Sequence, residues 1–470
     1  MKNLFFVFSR HICDPSEQKT SGTGNGTDIL LRFSRIYAQR SRQKIVFSIE
    51  TAFFKKFSEN KLHILLSCGK ICLAIDSRNP SANKTTAVRH GRTETLMYVN
   101  NDSLQPDKLD EILALRPEGA SAAPTEVTNL KSRMKGALIG RFAGCMLGIP
   151  VEMYSVANMQ AIALESGMAF PPVNYWTGTD NPEKIHYRVN KRTDYLLQNI
   201  DKVAVDDDIT YVILNMLLLE KYGKNYTLND IAELWLDILP YACTAEEEAL
   251  EQLKAGTRPE CAANFNRYVE WIGAAIRADA FGYAEPGNPE AAAKLSYNDA
   301  YLTHRKNGIY GEMFCAAAVA AAFTAKTPLD AVKEGMKQIP RDCELYKELE
   351  WALSYEGKIT NYIRARQLLD ERFPKMHPVH TINNMCAIVF ALILGGNDYT
   401  KCISDCVAIG LDNDCTGATV GSIAGACLGF EAIPSYWYEK FNNTVKTYLI
   451  GYETIALDDV IERFLKLAAN

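Results

Sequence analysis

From about residue 130 onward, apolar side chains recur at helical rather than strand spacing. Ile209, Val212, Ile213, Met216 and Leu217 fall at i, i+3, i+4, i+7 and i+8, one face of a helix. Residues 313–325 and 384–394 are apolar almost all round, the pattern of helices buried at the centre of a fold. Alternating strand patterns are nearly absent in this part of the chain, which is therefore expected to be all-α.

Two stripes of small residues interrupt the larger hydrophobes. Gly136, Gly140, Gly144 and Gly148 recur every four residues beside Ala137 and Ala143, and Ala418, Gly421, Ser422, Gly425 and Ala426 form a second stripe. Each glycine costs a helix about 1 kcal/mol relative to alanine. Close approach of another helix offsets that cost, and so does a ligand lying against the backbone. The pattern alone leaves both open.

The first 95 residues differ in character. They hold 16 Lys and Arg against 7 Asp and Glu, whereas the whole chain carries a net charge of −5. Residues 21–26 have a flexible-linker composition, and their glycines follow no strand, so they do not form a dinucleotide loop. A small extra domain, a basic interaction arm and a minor extension all fit this segment. The expected division is a basic N-terminal extension, 1–95, and an all-α domain, 96–470.

Composition narrows the class. With 470 residues, 47% hydrophobic and 23% charged, the chain has ample material for a core. Its acidic balance argues against a general nucleic-acid binder. The longest uninterrupted apolar stretches fall well short of the roughly 20 residues a spanning helix needs, so no membrane partner is expected. The 13 cysteines are scattered, and none of the close pairs is completed to a tetrahedral zinc set. Cys402 and Cys406 simply share a helix face. Reduced thiols and a cytoplasmic location are the expectation.

The chemistry concentrates at helix starts. Asp206-Asp207-Asp208 immediately precedes the amphipathic run from Ile209, and Asp412-Asn413-Asp414-Cys415-Thr416 precedes the second small-residue stripe. One aspartate at such a position is a cap; three in a row exceed what capping requires. The second motif imitates the opening of a calcium loop, but its twelfth position is Ile423 instead of a bidentate acid. If the two motifs meet, two like charges about 4 Å apart repel by roughly 4 kcal/mol at an effective dielectric near 20. Helix N-termini return only about 0.3–1 kcal/mol per carboxylate. Cations or protonation must supply the rest, and oxygen ligands point to Mg²⁺ or Mn²⁺.

Other segments are weaker signals. Asn307-Gly308-Ile309-Tyr310-Gly311 reads as a glycine-punctuated turn whose amides could cradle a phosphate, with His304, Arg305 and Lys306 adding positive charge. Glu152 follows the first glycine stripe. Tyr175 and Trp176 are a possible stacking pair, and His304 and His380 are more simply structural.

In this order and spacing the segments resemble the ADP-ribosylglycohydrolase family, over about residues 134–430. The first glycine stripe ending in Glu152 looks like the family's opening helix. Asp206-Asp207-Asp208-Ile209 resembles its Thr-Asp-Asp-Thr metal motif, Asn307-Gly308 its middle Asn-Gly motif, and Asp412-x-Asp414-Cys415-Thr416 its Asp-x-Asp-Thr motif. The resemblance implies an all-α, orthogonal helical bundle. It implies two Mg²⁺ ions (Mn²⁺ as substitute) held among Asp206, Asp207, Asp208, Asp412, Asp414 and Cys415 or Thr416. It also implies cleavage of a glycosidic bond in an ADP-ribosylated protein or ADP-ribosyl small molecule. Glu152, Asp207 and Asp414 are the expected catalytic residues, and Asn307, Gly308 and Gly311 the expected substrate contacts. Cys415 stands where the family has threonine, which marks a divergent Asp-x-Asp-Cys branch. A non-catalytic metal- or nucleotide-binding relative is the alternative. An all-α diphosphate enzyme is disfavoured because position 210 is threonine rather than a second acid at i+4.

Overall fold

The computed structural model describes residues 104–120 and 123–469, together with the backbone of six short strands nearer the N-terminus. Ile36–Ser41, Lys44–Ile49, Leu62–Ser67 and Lys70–Ile75 form an antiparallel sheet in sequence order, and Ala87–Arg89 pairs with Arg92–Glu94. The remainder of the expected 1–95 extension, with its glycine-rich run, lies outside the described residues. Residues 1–99 and 100–470 are separate compact units.

The second unit is helical, as the periodicity predicts. Its two short strand pairs are Ile185–His186 with Asn190–Lys191 and Thr444–Lys446 with Thr454–Ala456. The fully apolar runs become the helices Asn307–Ala322 and Thr381–Gly395, the first of them buried at every residue.

At the centre, the helix Leu130–Gly148 lies antiparallel to the helix Asn413–Leu428. The two glycine stripes face each other across this contact. A Cβ on Gly136, Gly140 or Gly144 would stand 2.4, 2.2 or 2.0 Å from the carbonyl oxygen of Gly425, Gly421 or Gly417. The reverse is also true: a Cβ on Gly421 would stand 2.1 Å from the Gly140 carbonyl oxygen. No side chain fits on either helix at these levels. The lost helix propensity is therefore offset by helix-on-helix packing, and of the two readings of the stripes the structure selects this one.

Among the described residues, Leu130–Val151 is long and apolar enough to cross a membrane by length and composition. Protein already covers it, with 94% of its most apolar 18-residue window buried.

A buried ion network ties the middle of the unit together. Arg277 donates to Asp299 Oδ2 at 2.5 Å, pairs with Glu246, and sits 3.6 Å from Glu312. Its guanidinium lies beside the stacked Tyr211 and Trp235 rings, 5.8 and 5.5 Å from their centroids. Burial, then the neighbouring Asp299 charge, pushes the Glu312 carboxyl well above its ordinary range, opposed by Arg277.

Gly421→Ala should lower unfolding stability by an amount at or above the upper end of the roughly 1–3 kcal/mol typical of over-packing. The obstacle here is a backbone carbonyl rather than a movable side chain. Urea denaturation followed by circular dichroism measures it, and an unchanged midpoint would show that the helices separate freely.

Candidate metal centre

The acidic centre is built from three chain segments that meet at one end of the glycine-helix pair. The first is the C-terminal end of Leu130–Gly148. A Cβ on Gly148 would stand 2.4 Å from Asp414 Cα, so this glycine admits the start of the second helix. A short 3-10 turn, Ile149–Val151, then delivers Glu152. Met153, which follows, is left-handed at φ 65°, and so is Leu411, just before Asp412, at φ 69°. The Met153 amide donates to the Leu411 carbonyl at 3.2 Å. Two bulky residues in a conformation they rarely adopt are thus locked back to back. The consequence is that Glu152 and Asp412 face the same space.

The second segment is the Asp206 motif. Val203 is bridged on both sides to the strand Thr444–Lys446, with 2.9 and 3.0 Å backbone bonds. The Tyr195 hydroxyl holds the Val205 carbonyl at 2.5 Å. Asp206 is the N-cap of the helix Asp207–Tyr222, its Oδ1 accepting the Asp208 amide at 2.9 Å. The third segment is the start of Asn413–Leu428, where Asn384 Oδ1 accepts the Asp412 amide at 3.2 Å.

These segments bring ligand atoms together in three overlapping groups, each within 4.8 Å: Glu152, Asp412 and Asp414; Asp208, Asp414 and Cys415; and Cys145, Asp206 and Asp208. Asp208 and Asp414 each belong to two groups, so the three are one constellation. Asp207 falls in none of them. It lies half-buried beside the centre, where the Tyr187 phenol supports its charge, next to the stacked rings of Tyr241 and Tyr448 4.6 Å apart. Thr416 follows in the first turn of the helix Asn413–Leu428. Its hydroxyl donates back to the Asp412 carbonyl at 3.0 Å, the usual way a helical threonine satisfies itself.

The centre is short of positive charge. Burial raises the Asp208 carboxyl well above its ordinary range, with Arg141 opposing and Asp206 adding to the shift. Burial followed by the Glu152 charge does the same to Asp414, and pushes Asp412 up to about 7. Asp207 is raised by burial and by Asp206. Asp208 Oδ2 and Asp414 Oδ1 are buried and accept no hydrogen bond. Orphaned, buried carboxylate oxygens converging on one space fit divalent-cation ligands.

Arg141 is the residue that pattern reading missed. Fully buried in the first glycine helix, it reaches Asp208 Oδ1 at 3.1 Å, the Asp208 carbonyl at 2.8 Å and Asp279 Oδ2 at 2.9 Å. A lone arginine among buried small residues, one helical turn before Cys145, is the signal that marks it. Cys145 was missed likewise; its thiol lies 3.3 Å from Asp206 Oδ1.

Three expected contacts are corrected. The 303–311 segment is helical from Asn307, not an open turn. A Cβ on Gly308 would meet the Val269 carbonyl at 2.2 Å, and one on Gly311 the Thr381 methyl at 2.4 Å, so both glycines serve packing. The buried Asn307 amide donates to Gln105 and Glu270 and accepts from the Leu345 amide, which uses it as a structural clamp. His304 is buried with its pKa driven well down by desolvation and Arg277, and Arg305 is held by the Tyr301 and His304 carbonyls. Tyr175 and Trp176 are core residues. Tyr175 donates to the Trp437 carbonyl and Trp176 to that of Leu147.

The ADP-ribosylglycohydrolase family model matches residues 126–469, a span that contains every segment of this centre. The chain belongs to the ADP-ribosylglycohydrolase family. No match was found among curated proteins. A solved structure, an "ADP-ribosylglycohydrolase-related protein complex", is 19% identical with a TM-score of 0.46, over 72% of this chain and 98% of that one. The family is of glycohydrolase type, acts on ADP-ribosylated substrates and is typically metal-dependent. The buried acid groups are candidate metal ligands within that frame.

Two outcomes follow from the charge balance. Arg141→Gln leaves Asp208 and Asp279 buried without their shared partner and should cost about 3–5 kcal/mol in urea unfolding. In chelator-treated protein, carboxyls harder to ionise folded than unfolded stabilise the fold at low pH. That contribution is lost as pH rises from about 4 through the Asp412 value near 7. The melting temperature should fall across that window, fall less in Asp412→Asn, and recover on adding Mg²⁺. A level profile without metal would mean the acids are already compensated.

Proposed function

We propose that the chain is a cation-dependent hydrolase that cleaves the glycosidic bond of an ADP-ribosyl or related ribosyl substrate, with two Mg²⁺ ions (or Mn²⁺) in the acidic centre. The observation that carries this reading is the pair of orphaned oxygens, Asp208 Oδ2 and Asp414 Oδ1, buried among further acids. Asp206, Asp208, Asp412, Asp414 and Glu152 would hold the ions, with Asp207 orienting from the edge. When bound, the cations supply Lewis acidity toward ribose hydroxyls and toward an attacking water.

The chain's own residues divide the remaining work. Most of the acids are sealed in, but Glu152 and Asp207 are half-buried, so these two mark the side from which substrate enters. Glu152 lies 4.0 Å from Arg192, whose guanidinium also stacks over Tyr154. That arrangement positions the Glu152 carboxylate at the rim of the centre, where it would take a proton from water attacking the anomeric carbon. The glycosidic electron pair then leaves with the acceptor group of the ADP-ribosylated protein or small molecule. Because Asn307, Gly308 and Gly311 are sealed by packing, the diphosphate is held elsewhere than the 303–311 segment.

Calorimetry with ADP-ribose, and with AMP as control, tests the reading in the presence and absence of Mg²⁺. Tight binding of ADP-ribose alone, lost without Mg²⁺ and lost in Asp414→Ala, is expected. Glu152→Gln should lower kcat by roughly 10²–10⁴-fold while still binding ADP-ribose. Equal affinity for both ligands, or indifference to Mg²⁺, would remove the distal ribose from the metal site.

A further inference from the structure

The three ligand groups are not chemically alike. The group at Glu152, Asp412 and Asp414 is all oxygen. Both groups that contain Asp208 include a cysteine: Cys415 with Asp414 in one, Cys145 with Asp206 in the other. Asp414 belongs to the all-oxygen group and to a thiol-bearing one, which is the placement of a bridging carboxylate.

We propose that the centre is built for two unlike cations, a hard one at Glu152/Asp412/Asp414 and a thiophilic one, Zn²⁺ in first place, at Asp208/Asp414/Cys415 with Cys145 and Asp206 beside it. This rests on the cation-dependent reading above and assigns a different ion to one of its two positions.

The chemistry of the donors carries the argument. Mg²⁺ demands near-octahedral oxygen coordination and keeps several waters. The thiol-bearing position is poorly suited to that, because Cys145, Asp206, Asp208, Asp414 and Cys415 are all buried and crowd it. Zn²⁺ takes four ligands from thiolate, imidazole and carboxylate donors in closed, water-poor sites. Asp208 Oδ2 and Asp414 Oδ1, buried oxygens without hydrogen bonds, are carried by the two acids of the Cys415 group. They point to a ligand there, whereas two cysteines alone would be ordinary small core residues. The all-oxygen position, by contrast, includes the half-buried Glu152 and so reaches solvent on one side, as a hard ion that retains waters requires.

The test uses the full chain, stripped of metal and titrated with CoCl₂, ZnCl₂ and MgCl₂ separately. Co²⁺ should produce thiolate-to-metal charge-transfer absorption in the near ultraviolet at one equivalent, abolished by Zn²⁺ and untouched by excess Mg²⁺. Calorimetry on the Zn²⁺-loaded protein should still register one Mg²⁺. Cys415→Ser should remove most of the absorption and weaken Zn²⁺ by roughly tenfold or more, with Mg²⁺ binding retained. Cys415→Thr should shift preference toward Mg²⁺, and Cys145→Ser serves if a Cys415 variant fails to fold. Co²⁺ binding without thiolate absorption, or absorption unchanged in the variants at both cysteines, overturns the unlike-cation proposal while the cation-dependent reading stands. A folded chain that binds none of the three metals overturns both.

Discussion

The contact on which this molecule depends is glycine against carbonyl oxygen. Between Leu130–Gly148 and Asn413–Leu428 the backbones approach so closely that a single methyl group has no place at three successive levels. Everything at the acidic centre follows from that approach. The end of one helix is carried to the beginning of the other, Gly148 clears space for Asp414, and Glu152 arrives where Asp412 emerges. Arg141 and Cys145, two turns and one turn back from that end, are aimed at the Asp206 motif by the same packing.

Against this rigid frame stands a concentration of like charge that no folded chain tolerates for free. Arg141 answers part of it, at Asp208 and Asp279, and Arg192 touches the rim at Glu152. The Arg277 network nearby shows how the same fold treats acids with no functional call on them. There one guanidinium is surrounded by Glu246, Asp299 and Glu312, so its hydrogen bonds are consumed within the core. What sets the acidic centre apart is the charge ratio: of its converging acids Arg141 pairs with Asp208 and Arg192 approaches Glu152, whereas Arg277 alone meets all three acids of its own network.

Much of this was legible in the residues. The helical period, the buried runs and the two acidic helix starts each follow from local pattern, and Asp206 caps its helix where the spacing puts it. What was illegible shares one cause: a glycine does not say what approaches it. Gly308 and Gly311 have the same appearance in sequence whether a phosphate, the Val269 carbonyl or the Thr381 methyl lies opposite. Tyr175 and Trp176 likewise need tertiary context, since a polar tip satisfied by a distant carbonyl makes an aromatic pair core rather than surface. Arg141 hid in a stretch whose pattern spoke only of close packing, although a charge in such a place requires a partner.

The glycine contacts also have the form of a ladder with equal rungs. Sliding one helix along the other by four residues, about 6 Å, would again set glycines opposite glycines at all but one level. Close packing therefore fixes how near the helices lie but not which rung meets which. Alignment comes from the ends: the Met153–Leu411 bond at one, and the Phe430 amide on the Ser132 hydroxyl at the other. A change of one rung would carry Asp412 and Asp414 about 6 Å along the axis relative to Glu152, so the acids from the two helices would no longer meet.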